Sequence, residues 1–184
     1  MSLSYAILAN LANRPCSGYD IAKQFNSSVG YFWQATHQQI YRELTKLEAQ
    51  GWIGGEVIIQ DDRPNKKLYS LTLLGKEKLA EWIAQPCKPS ASKEELLVKL
   101  YAGDLVEPEI LVAELQRHCQ IHQETLSAYR DIEQQYFQNP KEMSFDAQCK
   151  YLTLRRGIRY ETDWIGWCEE AIALLSTDEN GKVE

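Results

Sequence analysis

Gln38, Arg42, Thr45 and Ala49 recur at steps of four, three and four, the spacing of one face of an α-helix, while Ile40, Leu44 and Leu47 mark the opposite, apolar face. The polar face carries types that fit the edges of base pairs: an arginine can pair with O6 and N7 of guanine, and a glutamine with N6 and N7 of adenine. His37, Gln39, Tyr41 and Lys46 lie on its flanks and suit phosphate contacts, which set register without reading sequence. A second group of cations, Arg63, Lys66 and Lys67, lies within and just after the turn-forming segment Asp61-Asp62-Arg63-Pro64-Asn65 and would make a clamp on a phosphate backbone. Each group has an ordinary reading too, as a solvated helix face or a charged hairpin tip. Together they point to double-stranded DNA.

Other chemistry is thinly represented. The chain has no GxSxG elbow, no GxxxxGK[ST] phosphate loop and no GxGxxG turn, so it is expected not to be an enzyme and to call for no cofactor. His118 and His122 stand one helical turn apart around Cys119, which is ligand spacing, but no second cluster completes a tetrahedron; a hydrogen-bonded core histidine and no metal are expected. The cysteines, at 16, 87, 119, 149 and 168, are odd in number and widely spaced, which suits a reducing cytoplasm better than a disulfide framework. Uncharged runs such as 3–13 fall well short of the roughly 20 apolar residues of a membrane span. The first residues also lack the basic start of a secretory signal.

The elements that must hold these residues follow from periodicity and punctuation. Residues 4–11 read as a short helix ended by Asn13-Arg14-Pro15, and Ser17-Gly18-Tyr19-Asp20 as the cap of a second helix that turns Ile21 and Phe25 inward. The third runs from Thr36 or His37 to Gln50 and stops at Gly51, a left-handed C-cap. Residues 52–60 and 66–71, rich in Val, Ile and Tyr, read as a β-hairpin, after which Thr72 caps a fourth helix to about Gln85. Three helices and a hairpin, in that order, make a winged helix-turn-helix, with the third helix entering the major groove.

Residues 86–92 (PCKPSAS) form a linker by composition, which divides the chain into a DNA-binding domain, 1–86, and a helical dimerisation or effector domain, 93–176. The fold class is therefore mostly α, with an α+β winged helix followed by an all-α half. The net charge of −6 divides unevenly at this boundary: residues 1–86 carry nine Lys/Arg against eight Asp/Glu, and the remainder eleven against eighteen. The acidity belongs to the second half, and phosphate contacts depend on local basic surface within about 8 to 10 Å.

In the second half a short helix over 93–102 precedes a long one opened by Pro108 and a last one from about Ser144 to Leu175. Ala147, Tyr151, Leu154, Ile158, Glu161, Ile165, Cys168, Ile172 and Leu175 form a heptad seam with one charged exception. The long helix offers Leu111, Leu115, Cys119, His122, Leu126, Tyr129 and Tyr136 to it, and the width of the apolar arc calls for a second neighbour. A homodimer burying Leu115, Leu126, Tyr151, Leu154, Ile158, Ile165, Cys168 and Ile172 is the expected assembly. Tyr160, Trp164 and Trp167 beside the seam could wall a pocket for a small aromatic or apolar effector, or serve as core and interface packing.

Leu3–Leu11, Ser17-Gly18-Tyr19-Asp20-Ile21, Phe32-Trp33, Ile40-Tyr41-Arg42-Glu43-Leu44 with Leu47-Glu48, Gly51, Lys67-Leu68-Tyr69-Ser70-Leu71-Thr72 and Gly75 together resemble the signature of PadR-type transcriptional regulators, in order and near the usual spacing, over residues 3 to about 85. The second half resembles that family's helical extension. The resemblance implies a homodimeric repressor or activator that binds a palindromic operator and is often released by a small molecule. It also implies that Tyr41 and the wing cations Arg63, Lys66 and Lys67 face the DNA backbone, and that Gln38 and Arg42 read sequence. The chain departs from the pattern at Gln34-Ala35-Thr36-His37-Gln38-Gln39, where small residues such as Ser and Gly are usual before the tyrosine. The competing reading is a winged-helix protein-interaction module that does not bind DNA.

Overall fold

Local hydrogen bonding sets the ends of the helices that carry the candidate face. The computed structural model describes residues 3–25, 35–59, 65–88 and 93–176, so Arg63 and Phe32-Trp33 lie outside the described residues. The chain divides into two compact units that meet between Ser90 and Ala91. Among the described residues there are seven α-helices and one three-stranded antiparallel sheet.

In the first unit α1 (Leu3–Leu11), β1 (Cys16–Ser17), α2 (Gly18–Phe25) and α3 (His37–Ala49) precede a hairpin of β2 (Ile53–Ile58) and β3 (Lys66–Leu71), and α4 (Leu73–Ile83) follows. At the start of α2, Ser17 Oγ accepts from the Asp20 N–H at 3.1 Å and Asp20 Oδ2 accepts from Ser17 Oγ at 2.7 Å, the reciprocal cap that the SGYD segment predicts. The helix α3 ends in a Schellman arrangement: Gly51, at φ 71°, donates to Glu48 O and the Trp52 N–H reaches back to Leu47 O. A β-carbon on Gly75 would lie 1.9 Å from Trp52 O, so only glycine lets α4 approach that turn. Thr72 Oγ1 accepts from the Gly75 N–H and donates to Gly51 O at 2.7 Å, which ties the start of α4 to the end of α3.

The sheet order is β1-β3-β2, with Ile53 opposite Leu71 and Ile58 opposite Lys66. Strand β1 is two residues long and pairs Cys16 with Tyr69; its brevity leaves no alternation by which periodicity could announce it. The core gathers Ile7, Leu8, Ile21, Phe25, Leu47 and Ile53 with Ile40 and Leu44, both fully buried. Each such side chain contributes about 1.5 to 3 kcal/mol of apolar burial. Tyr5 stacks on Trp82 at 4.6 Å and holds α4 against α1.

The second unit consists of α5 (Glu95–Tyr101), α6 (Pro108–Tyr136) and α7 (Phe145–Ser176). Helices α6 and α7 run antiparallel: Arg155 meets Glu133 at 3.0 Å at one end, while Cys119 and Cys168 share a cluster with Leu115 at the other. The seam predicted on α7 is buried or half-buried at each of its nine positions. Leu115, Leu126, Ile158 and Cys168 are buried in clusters that α6 and α7 of one chain supply, with Leu96 of α5. Tyr151, Leu154, Ile165 and Ile172 remain half-buried. The charged exception on the seam finds its partner in the polar exception on α6: His122 Nδ1 hydrogen-bonds Glu161 Oε2, as a core histidine requires.

Candidate nucleic-acid interface

The exposed face of α3 begins with its cap. Thr36 is the N-cap; its Oγ1 accepts from the Gln39 N–H at 3.2 Å, and Gln39 Oε1 accepts from the Thr36 N–H at 2.8 Å. The segment that departs from the family pattern thus supplies a complete capping box, and α3 starts at His37. With Ile40, Leu44 and Leu47 at zero exposure, the helix has one rotation in which its apolar stripe is satisfied. In it Gln38, Tyr41, Arg42, Thr45, Lys46 and Ala49 are exposed.

These exposed residues are not equally available. Gln38 and Arg42 lie one turn apart, and Arg42 has no ion-pair partner among the described residues. Gln39 is exposed but has its carboxamide oxygen engaged in the cap, leaving its N–H groups to donate. Thr45 Oγ1 donates to Tyr41 O at 3.1 Å. The Tyr41 ring lies over Gly18, where a β-carbon would come within 2.6 Å of Cε1; this contact sets the ring against the start of α2 while leaving it 46% exposed.

Every described lysine of the candidate face is paired. Lys46 meets Glu43 at 3.0 Å, Lys66 meets Asp20 at 2.9 Å and Lys67 meets Glu48 at 2.8 Å. The bond from Lys66, with help from Ser17, holds the Asp20 carboxyl below its ordinary range. Burial of Glu43 opposes its ionisation, but bonds from Ser4 and Lys46 outweigh this and keep its carboxyl low. The bond to Glu48 pushes the Lys67 ammonium up. Of these pairs only Lys46–Glu43 could be read from spacing, at three residues apart on one helix; the other two need the register of β3 against α2 and α3. Lys66 and Lys67 stand at the described end of the wing, where β3 begins.

In the second unit the aromatic cluster is filled by its own members. Trp164 stacks on His122 at 4.9 Å and 10°, Trp167 meets Trp164 edge-on at 5.1 Å, and Tyr160 meets it edge-on at 6.3 Å. A shallow groove of about 430 Å³ is lined instead by Gln116, Cys119, Gln120, Gln123, Glu124 and Ile172. Among the described residues no group of three His, Cys, Asp or Glu converges as a metal site. No helix there is long and apolar enough to cross a membrane.

Three helices, a short pairing strand and a hairpin wing define the first unit as a winged helix-turn-helix with an exposed third helix. Residues 7–81 match the model of the transcriptional regulator PadR-like family, and residues 92–176 match the model described as virulence activator alpha, C-terminal. A probable transcriptional regulator of Mycobacterium tuberculosis is 36% identical over 95% of this chain and 98% of its own length. The negative transcriptional regulator PadR of Bacillus subtilis is 33% identical over 96% and 98%. The crystal structure of that PadR in complex with operator DNA superposes with a TM-score of 0.79, at 31% identity over 94% of this chain and 98% of that one. The same protein has been solved with p-coumaric acid (TM-score 0.74, 30% identity, 95% and 98% covered). The Vibrio cholerae virulence activator AphA is 34% identical over 96% and 99%, with a TM-score of 0.75. The chain belongs to the PadR family of transcriptional regulators, and is a regulator and not an enzyme.

Proposed function

We propose that this regulator binds double-stranded DNA through α3 and its wing, acting as a cytoplasmic homodimer on a palindromic operator. Gln38 and Arg42 contact base edges; Gln39, Tyr41, Thr45, Lys46, Lys66, Lys67 and Arg63 contact the backbone. The observation that carries the reading is the rotation of α3: three fully buried aliphatic residues fix Gln38 and Arg42 outward on one face. The similarity to a PadR solved on operator DNA supports it.

Self-association through the second unit is supported by the apolar surface that α5, α6 and the turn between them leave exposed, including Val98, Tyr101, Leu105 and Ile110. The half-buried seam residues Tyr151, Leu154, Ile165 and Ile172 supply further surface beside the buried Leu115, Leu126, Ile158 and Cys168. Repression released by a small aromatic ligand is supported by the B. subtilis relative, solved with p-coumaric acid. Tyr160, Trp164 and Trp167 are its candidate contacts, and a ligand there has to displace the ring contacts they now make with His122 and with one another.

Titration of the full chain against a duplex from the DNA upstream of its own gene, at two salt concentrations, tests the reading. Affinity is expected to fall steeply with salt, because phosphate neutralisation releases counterions. Absence of binding at low salt would favour the protein-interaction module instead.

A further inference from the structure

The three paired lysines of the DNA-binding face share an arrangement that the proposed function leaves without a role. Two of the pairs are long-range: Lys66–Asp20 joins β3 to α2, and Lys67–Glu48 joins β3 to α3. Space is kept for the second pair by the strand opposite. A β-carbon at Gly55 would lie 2.2 Å from Lys67 Cε and 2.5 Å from Glu48 Oε1, so a side chain there would push the two apart. Lys67 Nζ also lies 5.3 Å from the Tyr69 ring centroid. Asp20 is oriented independently by Ser17, whose Oγ holds the same carboxylate oxygen that Lys66 reaches. Asp20 is thus held where the Lys66 ammonium comes to rest, and Glu48 has the clearance to reach Lys67. With Glu43 on Lys46, the three described lysines of the face are matched one for one by acids, and Arg42 keeps its charge unpaired among the described residues.

We infer that Asp20 and Glu48 are internal competitors of DNA phosphate, occupying Lys66 and Lys67 off DNA and surrendering them on binding, so that they set the affinity of the wing for any duplex. This rests on the reading of α3 and the wing as the DNA interface. The chemistry is an exchange of one anion for another. The pairs are partly exposed, with lysine side chains about 40% accessible, so each exchange is small and reversible. A carboxylate left behind beside a phosphate takes up a salt cation, which offsets part of the counterion release that the lysine brings. Sequence reading at Gln38 and Arg42 is untouched by the exchange, so the effect is the same on every duplex. Specificity is then left to base contacts while the competitors hold down unproductive electrostatic binding.

The test is anisotropy titration of the full chain, its Glu48→Gln and Asp20→Asn variants, and Asp146→Asn, which breaks a Lys–Asp pair within one helix of the second unit. Each is measured on the upstream duplex and on an unrelated duplex of equal length, at several salt concentrations. Glu48→Gln and Asp20→Asn are each expected to bind both duplexes about two- to fivefold more tightly at low salt, with a salt slope steeper by up to about 1 unit. Asp146→Asn is expected to match the wild type. In a Lys67→Ala background the gain from Glu48→Gln should fall by more than half, since the competitor then has nothing to release. Unchanged or weaker binding by Glu48→Gln, with an unaltered unfolding transition, overturns the inference, as does a full gain in the Lys67→Ala background, which would show simple repulsion of DNA. Wild-type protein that binds neither duplex at low salt overturns the DNA reading itself and the inference with it.

Discussion

The two units of the chain solve the problem of burying apolar surface differently. The first closes a core of its own, in which α1, α2, α3, α4 and the sheet each contribute, and apart from Ala49 and the Tyr41 ring what it leaves outward on α3 is polar or charged. The second has one long pair of helices with α5 at its side; its buried residues fall into two small clusters, and Val98, Tyr101, Leu105 and Leu174 stay at least 70% exposed. Both units leave large apolar side chains exposed, Ile59 and Leu73 among them in the first, so what separates them is the core each closes: one continuous cluster in the first, two small ones in the second. The contrast agrees with the proposal that the first unit serves recognition and the second assembly.

The largest expected effect attacks the complete core. Leu44→Ala, at a fully buried site, should cost about 2 to 5 kcal/mol in a urea unfolding titration. A cost under 1 kcal/mol would show that the first unit is less tightly closed than its burial indicates. In the second unit, His122→Leu strands the Glu161 carboxylate in a 7% exposed position and should cost about 1 to 3 kcal/mol. Adding Glu161→Leu should recover most of that, because a well-packed apolar pair does as well as a buried polar one. No recovery would mean that the pair specifies more than packing.

Ile165→Asp places a charge on the half-buried seam and should dissociate the proposed dimer in light scattering while the first unit keeps its unfolding transition. An intact dimer would move the assembly surface away from α7. Smaller again, Lys66→Ala with Lys67→Ala should weaken binding to all sequences alike and flatten the salt slope by less than the roughly 2 units that two unpaired lysines would contribute. An unchanged slope would remove the wing from the interface.

The smallest effect concerns acid. Bonds from Arg117, at 2.8 and 2.9 Å, pull the Glu114 carboxyl down to about 2, with Lys99 and His118 adding to the effect. Because the folded value is depressed, the stabilisation is present above the ordinary glutamate range and is lost as pH falls from there toward 2. A carboxyl NMR titration should place the Glu114 midpoint well below about 4.3, and a midpoint at that ordinary value would mean the cluster does not persist in solution.

Much of the fold was legible because its signals are local. Ser17 and Asp20 announce a cap by type and spacing, Gly51 a left-handed stop, Pro108 a first turn, and the four-three steps of Ile40, Leu44 and Leu47 a buried stripe; the structure has each of them in place. Strand β1 was not legible, since two residues carry no period and their pairing with β3 depends on the rest of the fold. The pairing of Lys66 with Asp20 crosses 46 positions, and no spacing rule reaches that far. The seam on α7 was legible as apolar, but one chain's α6 covers part of it, and how much surface is left over depends on interhelical packing that periodicity does not report.

The most direct test of the central claim, that α3 presents Gln38 and Arg42 to a DNA groove, is selection of binding sites from a pool of random duplexes with the wild type and with Arg42→Ala. The variant is expected to lose preference at one symmetry-related pair of base positions and to bind the selected site more weakly by about 1 to 3 kcal/mol. Selection of the same sites with undiminished affinity would contradict it.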